Sequence, residues 1–293
     1  MRENLGCNSG YLSPREILSL GYNFIETSIN KPLYDEGVVK RMLGDLDEAK
    51  GLGMAYAIHL PVFLSEYWQS HYDCYDAFFL DPEFEKRELS FKMLEDNLSR
   101  LTKNYQPMYF VIHFPGIYDT ETHYSEDFNL ILDEGLNRIE LLGKKYGCVI
   151  ALEYFATNSR FAAYSSWIEK TKELEHVALL LDTGHLYFAC YKNKFDYDDV
   201  LRGLAPHCIG FHVWNVQDTG YYSESESYKA FRHIVPHLEQ TRETGWAFST
   251  EELISFLGTF NKPILVEASQ RYKGMAYYKE GLVQIRELLR NDE

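Results

Sequence analysis

What most restricts this chain is a series of apolar runs, each only long enough for one strand, separated by segments with helical spacing. The runs are FIETSI (24–29), MAYAIHL (54–60), MYFVIH (108–113), CVIALEYF (148–155), VALLLD (177–182), CIGFHVW (208–214) and PILVEA (263–268). A weaker run, LGCNSG (5–10), opens the series. They are near-continuous rather than alternating, the pattern of parallel strands covered on both faces.

Between the runs, Leu94, Leu98 and Leu101 recur at helical intervals. Phe128, Leu132, Ile139 and Leu142 do the same, and Gly147 stands as a stop. Ser13-Pro14 and Asp81-Pro82 each put a capping residue before a proline suited to the first helical position. A last helix is expected over 278–290, with Leu282, Ile285 and Leu289 facing inward. Eight strand–helix units in 293 residues is the count of an α/β chain folded as a (β/α)8 TIM barrel. No linker or low-complexity tract divides it, so one domain is expected over 1–293. An open, doubly wound sheet is the runner-up, but no glycine fingerprint follows the first strand to support its dinucleotide-binding form. The stretch 215–250 has little periodicity and reads as a long connection of the kind that carries function.

Composition excludes some classes of partner. Asp plus Glu number 44 against 29 Lys plus Arg, a net charge of -15. Such a chain is a poor general binder of nucleic-acid backbones or anionic membranes. The five cysteines, Cys7, Cys74, Cys148, Cys190 and Cys208, are odd in number and lack a Cys-x-x-Cys pair, which fits reduced, buried thiols. No stretch approaches a membrane span and MRENLGCNSG has no leader pattern, so a soluble cytoplasmic protein is expected.

Six of the runs carry a side chain able to bind a metal at or near their ends: His59, His113, Glu153, Asp182, His212 and Glu267. In a barrel those strand ends share one rim, where barrel active sites are built. A lone histidine at a strand end is more often a hydrogen-bonded core residue, and a lone Asp before Thr-Gly more often a turn former. A glutamate inside ALEYF or LVEAS is harder to dismiss, because Glu is rarely buried without a partner. Six such residues at one relative place favour a cation or a substrate that organises them. Asp182-Thr183-Gly184 also matches the loop of an aspartic protease, but that chemistry needs two carboxylates sharing a proton, and only one copy is present.

In order and spacing, AIHLPV, VIHFPG, IALEYF, LLLDTGH, IGFHVWN and PILVEAS resemble the xylose-isomerase-like barrels. That superfamily includes sugar isomerases and epimerases and the endonuclease IV type of abasic-site nucleases (AP endonuclease family 2). The resemblance to the epimerase branch implies one divalent cation, Mn, Mg, Zn, Co or Fe, held by Glu153, Asp182, His212 and Glu267. Glu153 and Glu267 would double as acid and base around an enediolate, with His185 as a substrate contact or proton relay. His59, His113, Arg232, His233 and Trp214 are further substrate-contact candidates, and Phe63, Tyr154 and Trp246 candidate walls. The nuclease branch implies three zinc ions, and His59, His113, His185 and His233 fall where some of its extra ligands lie. Against it, the branch's Asp-Arg-His reads Phe231-Arg232-His233 here, and the segment carrying it is acidic and aromatic. The expectation is a metal-dependent isomerase or epimerase acting on a small polyhydroxy substrate, a sugar, sugar acid or sugar phosphate, with an unphosphorylated one favoured. A nuclease, a related dehydratase and a barrel without catalysis are the alternatives, and self-association is left open.

Overall fold

The computed structural model describes residues 5–27, 36–71, 77–114, 128–154, 164–217 and 233–291. Eight parallel strands close into a barrel in sequence order: β1 (Leu5–Asn8), β2 (Phe24–Thr27), β3 (Ala55–His59), β4 (Phe110–His113), β5 (Ile150–Glu153), β6 (Val177–Asp182), β7 (Cys208–Val213) and β8 (Ile264–Val266). The open-sheet alternative is excluded by the β1–β8 pairing, Leu5 to Ile264 through Cys7 to Val266.

Around the barrel lie α1 (Pro14–Ser19), α2 (Glu36–Gly51), α3 (Glu66–His71), α4 (Phe84–Leu101), α5 (Phe128–Tyr146), α6 (Tyr164–Thr171), α7 (Thr183–Asn193), α8 (Tyr197–Leu204), α9 (Thr250–Gly258) and α10 (Gly274–Asn291). The strands are apolar on both faces because each face is covered. Phe24, Ala57, Tyr109, Val111, Ala151, Leu180 and Leu265 fill the lumen. Ile25, Ile58, Ile112 and Leu152 point outward, under the helices. The first run reads weakly because close approach requires Gly6, where a Cβ would lie 2.3 Å from the Phe24 ring and 2.7 Å from its carbonyl oxygen.

Ser13 caps α1 with a full capping box to Glu16. Gly147, at φ +65°, turns the chain after α5. Two boundaries differ from expectation. Asp81-Pro82 lies just ahead of α4 rather than at its start, because Asp81 Oδ1 accepts the Glu83 N–H (2.9 Å) and forms a turn first. The last helix begins at Gly274 and is therefore longer than expected. In the long connection, residues 233–249 return to the barrel through bridges from Asn215 to Ile234 and from Gln217 to Trp246. Cys7, Cys148, Cys190 and Cys208 are free; burial pushes each thiol upward, Cys7 to about 12. Cys74 lies outside the described residues. No helix among the described residues is long and apolar enough to cross a membrane.

Asn97, buried inside α4, is a poor helix former, and its side chain works for the next loop instead. Its Oδ1 accepts from Val62 N–H (2.7 Å) and Phe63 N–H (2.8 Å), and its Nδ2 donates to the carbonyls of Phe63 and Met93. These bonds hold the segment that follows His59. Asn97→Ala would strand the buried Val62 N–H, at a cost of about 2 kcal/mol. Urea unfolding of the variant is expected to show that loss; an unchanged midpoint would mean the loop is held otherwise.

Candidate metal centre

Side chains alternate along a strand, so the residue two beyond a lumen-filling one points inward one level nearer the mouth. Above Phe24, Ala57, Val111, Ala151, Leu180 and Leu265 stand Glu26, His59, His113, Glu153, Asp182 and Glu267, and His212 pairs in register with Asp182. Seven successive strands thus bring a titratable side chain to one level. Six are the residues singled out from the sequence; Glu26 is the addition.

Glu153 is 1% exposed at the centre of the group. Its Oε2 lies 3.1 Å from His59 Nε2, 3.4 Å from His113 Nε2 and 3.9 Å from His212 Nδ1, and its Oε1 lies 3.6 Å from His185 Nε2. His212 Nδ1 is also 3.2 Å from Glu267 Oε2, while its Nε2 lies 3.1 Å from Glu26 Oε2. One donor atom each from Glu153, Asp182, His212 and Glu267 falls within 4.8 Å of the others; His59, His113 and Glu153 form a second such group. Glu153 Oε1, Glu267 Oε2 and His212 Nδ1 make no hydrogen bond within the protein. Buried donor atoms that converge without partners, in a mixed set of carboxylate and imidazole, fit a divalent cation.

The charges lean on one another. Burial alone would raise the Glu153 carboxyl, but His113, His59 and His212 hold it well below the usual range. Glu267 is likewise opposed by burial and drawn down to about 2 by His212 and His233. Burial and the neighbouring Glu153 and Glu267 push Asp182 well above an ordinary carboxyl. Burial opposes charge on His212, yet Glu26 and Glu267 raise it well above a free imidazole.

Asp182-Thr183-Gly184 is not the tight turn its composition suggests. Asp182 is the N-cap of α7, its Oδ1 accepting the His185 N–H at 2.6 Å, and Thr183 already lies in the helix. Its Oδ2 accepts the Trp214 Nε1–H at 2.7 Å. Trp214, a candidate substrate contact, has no exposed surface and braces Asp182. His233 stacks on that indole (centroids 4.3 Å apart) at φ +54°, and its Nδ1–H donates to the Glu267 carbonyl. Of the candidate walls, Phe63 sits under the Arg100 guanidinium, and Tyr154 is core, edge-on to Trp167. Trp246 packs edge-on to Tyr272. Arg232 lies outside the described residues. Glu26 was missed although FIET carries the signal used for Glu153, a glutamate inside an apolar strand.

A closed parallel barrel with a carboxylate–imidazole cluster at its mouth defines a class of (β/α)8 proteins built around a strand-end centre. Within it, the chain belongs to the xylose isomerase-like TIM barrel family, whose sequence model matches residues 14–288. Among solved structures, 3-keto-D-glucoside 4-epimerase from E. coli, in its apo form, has a TM-score of 0.60 at 14% identity over 97% of this chain and 99% of that one. A Thermus thermophilus protein soaked with ZnCl2 has a TM-score of 0.60 at 15% identity, covering 98% of both chains. An AP endonuclease, family 2, from Brucella melitensis has a TM-score of 0.55 at 14% identity, covering 96% of both. At such identities the likeness is one of fold. No curated protein sequence matches the chain significantly.

Gly184 has a packing reason to be glycine: a Cβ would meet the Trp214 indole at 2.3 Å. In a helix Gly→Ala is normally favourable by about 1 kcal/mol. Here overpacking is expected to reverse the sign, to a loss of about 1–3 kcal/mol. Denaturant unfolding of Gly184→Ala distinguishes the two, and a gain in stability would show that the indole can move aside.

Proposed function

We propose that this protein is a divalent-metal-dependent isomerase or epimerase of a small polyhydroxy compound, a sugar or sugar acid. The convergence of Glu153, Asp182, His212 and Glu267 carries the reading: it is a four-ligand set, and two of its members are carboxylates suited to proton transfer. Family membership and the epimerase neighbour support it.

A cation held by these four side chains would supply the positive charge that a carbonyl needs when the adjacent carbon loses its proton. Glu153 and Glu267, both kept ionised by nearby imidazoles, are the groups able to accept that proton and return one. They stand on β5 and just beyond β8, so they approach a bound substrate from different sides of the mouth. His185, edge-on to Trp214 and 3.6 Å from Glu153, is placed to hold a substrate hydroxyl. An acidic chain suits an uncharged substrate better than a polyanion.

A zinc phosphodiesterase of the endonuclease type is the second reading, favoured by one observation: His59, His113 and Glu153 form another group able to hold a cation. Neither group, however, includes His185 or His233. Elemental analysis of the purified protein separates the readings. One equivalent of divalent metal is expected, with no nicking of abasic DNA; three equivalents with nicking would replace the isomerase reading by the nuclease. Against a panel of sugars and sugar acids, Glu153→Gln and Glu267→Gln should each slow turnover by about 100-fold or more.

Cation binding should also release protons. Asp182 and His212 both sit above their ordinary values in the metal-free protein, and each must give up a proton to become a ligand. Affinity should therefore rise with pH until both groups are deprotonated without metal. Calorimetric titration in buffers of different ionisation enthalpy measures the protons released, and zero release would contradict the charge pattern described.

A further inference from the structure

Glu26 is fully buried on β2, inside the barrel, and belongs to neither group able to hold a cation. Among the described residues its ion pair is with His212, 186 positions away on β7. The bond crosses the lumen rather than joining neighbouring strands. We propose that Glu26 is the positioning residue of this centre: it accepts the Nε2–H of His212 and so presents Nδ1 to the cation, setting how tightly the site holds it. The assignment rests on the metal-dependent reading above.

Three observations support it. First, no packing need explains a carboxylate here, since the residue two positions earlier, Phe24, fills the same lumen with an apolar ring. Burying the acid is costly unless its partner depends on it. Second, Glu26 Oε1 makes no hydrogen bond, so the side chain is not one node of a satisfied structural network. Its single strong contact is the imidazole. Third, the two ring nitrogens of His212 have divided their work. Nε2 faces Glu26 at 3.1 Å, and Nδ1 faces the cluster, 3.2 Å from Glu267 and 3.9 Å from Glu153. A histidine ligand needs its metal-facing nitrogen bare and its other nitrogen's proton held; a carboxylate on the far side secures both and fixes the ring's rotation.

The test compares the metal-stripped parent with Glu26→Gln, Glu26→Leu and His212→Ala, each titrated with Mn2+ and with Zn2+ by calorimetry. Each metal-free protein is also melted. The Gln variant keeps the shape and a weaker acceptor, so its affinity should fall about 10-fold; the Leu variant removes the acceptor and should lose about 100-fold. Melting of metal-free Glu26→Gln should stay at the parent value, as a purely structural role would not allow. His212→Ala should lose more affinity than either variant, and adding Glu26→Gln to it should change nothing further. Parent-like affinity in Glu26→Gln and Glu26→Leu overturns the assignment of Glu26, as does a loss that merely follows a drop in metal-free melting. A parent that binds neither cation overturns the metal-dependent reading itself, which separates the two failures.

Discussion

Glu153 lies under the barrel mouth with His59, His113, His185 and His212 around it, and the polar layer depends on that contact. Burial alone would neutralise the carboxyl, but the imidazoles keep it ionised. Its charge then bears on the next strand, where burial and Glu153 together raise the Asp182 carboxyl well above its ordinary value. Seven titratable groups at one level of a lumen would each be expensive alone. Together they form a chain of mutual compensation, from Glu26 through His212 to Glu267 and Glu153, and on to His59 and His113. Each member's charge is offset by that of a neighbour, so the layer is one electrostatic unit.

A closed parallel sheet makes such a layer available cheaply. The inward side chains below it, from Phe24 to Leu265, form a dry plug, so the polar level is reached from one side. A period of two places every second residue at the same face, and neighbouring strands in register set His113 beside Glu153 and Asp182 beside His212. Positions on strand ends are fixed by the sheet's own hydrogen bonds, which gives a precision that loops do not offer.

The strands were legible in the sequence because burial on both faces leaves an unbroken apolar run, and the six ligand-capable ends because each interrupts such a run. Glu26 escaped for a physical reason. FIET carries the same signal as ALEYF, but Glu26 sits inside its run rather than near the end, and its partner is across the barrel, a relation that sequence spacing does not encode. The bracing role of Trp214 was not legible, because an indole beside a site looks the same in sequence whether it faces a substrate or braces a neighbouring carboxylate. The 2.7 Å bond to Asp182 shows the bracing contact that the sequence could not. Phe63 and Tyr154 belong with it: aromatic content shows that walls and core exist, not which ring serves which.

Asp182 shows how far local and global demands can coincide. At the end of an apolar strand the chain must turn, and an Asp before a helix is the ordinary way to start one. The same carboxylate caps α7 through Oδ1, takes the Trp214 hydrogen bond through Oδ2, and lies within reach of Glu153, His212 and Glu267. Those two bonds fix its orientation before any ligand arrives, so little rotational freedom is left to lose on binding a cation. They also tie the centre to the packing outside the barrel, because Trp214 is held against Gly184 of the helix that Asp182 starts. A change that shifts α7 would therefore reach the centre through a single side chain. The Asp-Thr-Gly-His sequence acts as a unit: cap and candidate ligand first, a small residue where the indole needs room, and an imidazole one turn later facing Glu153.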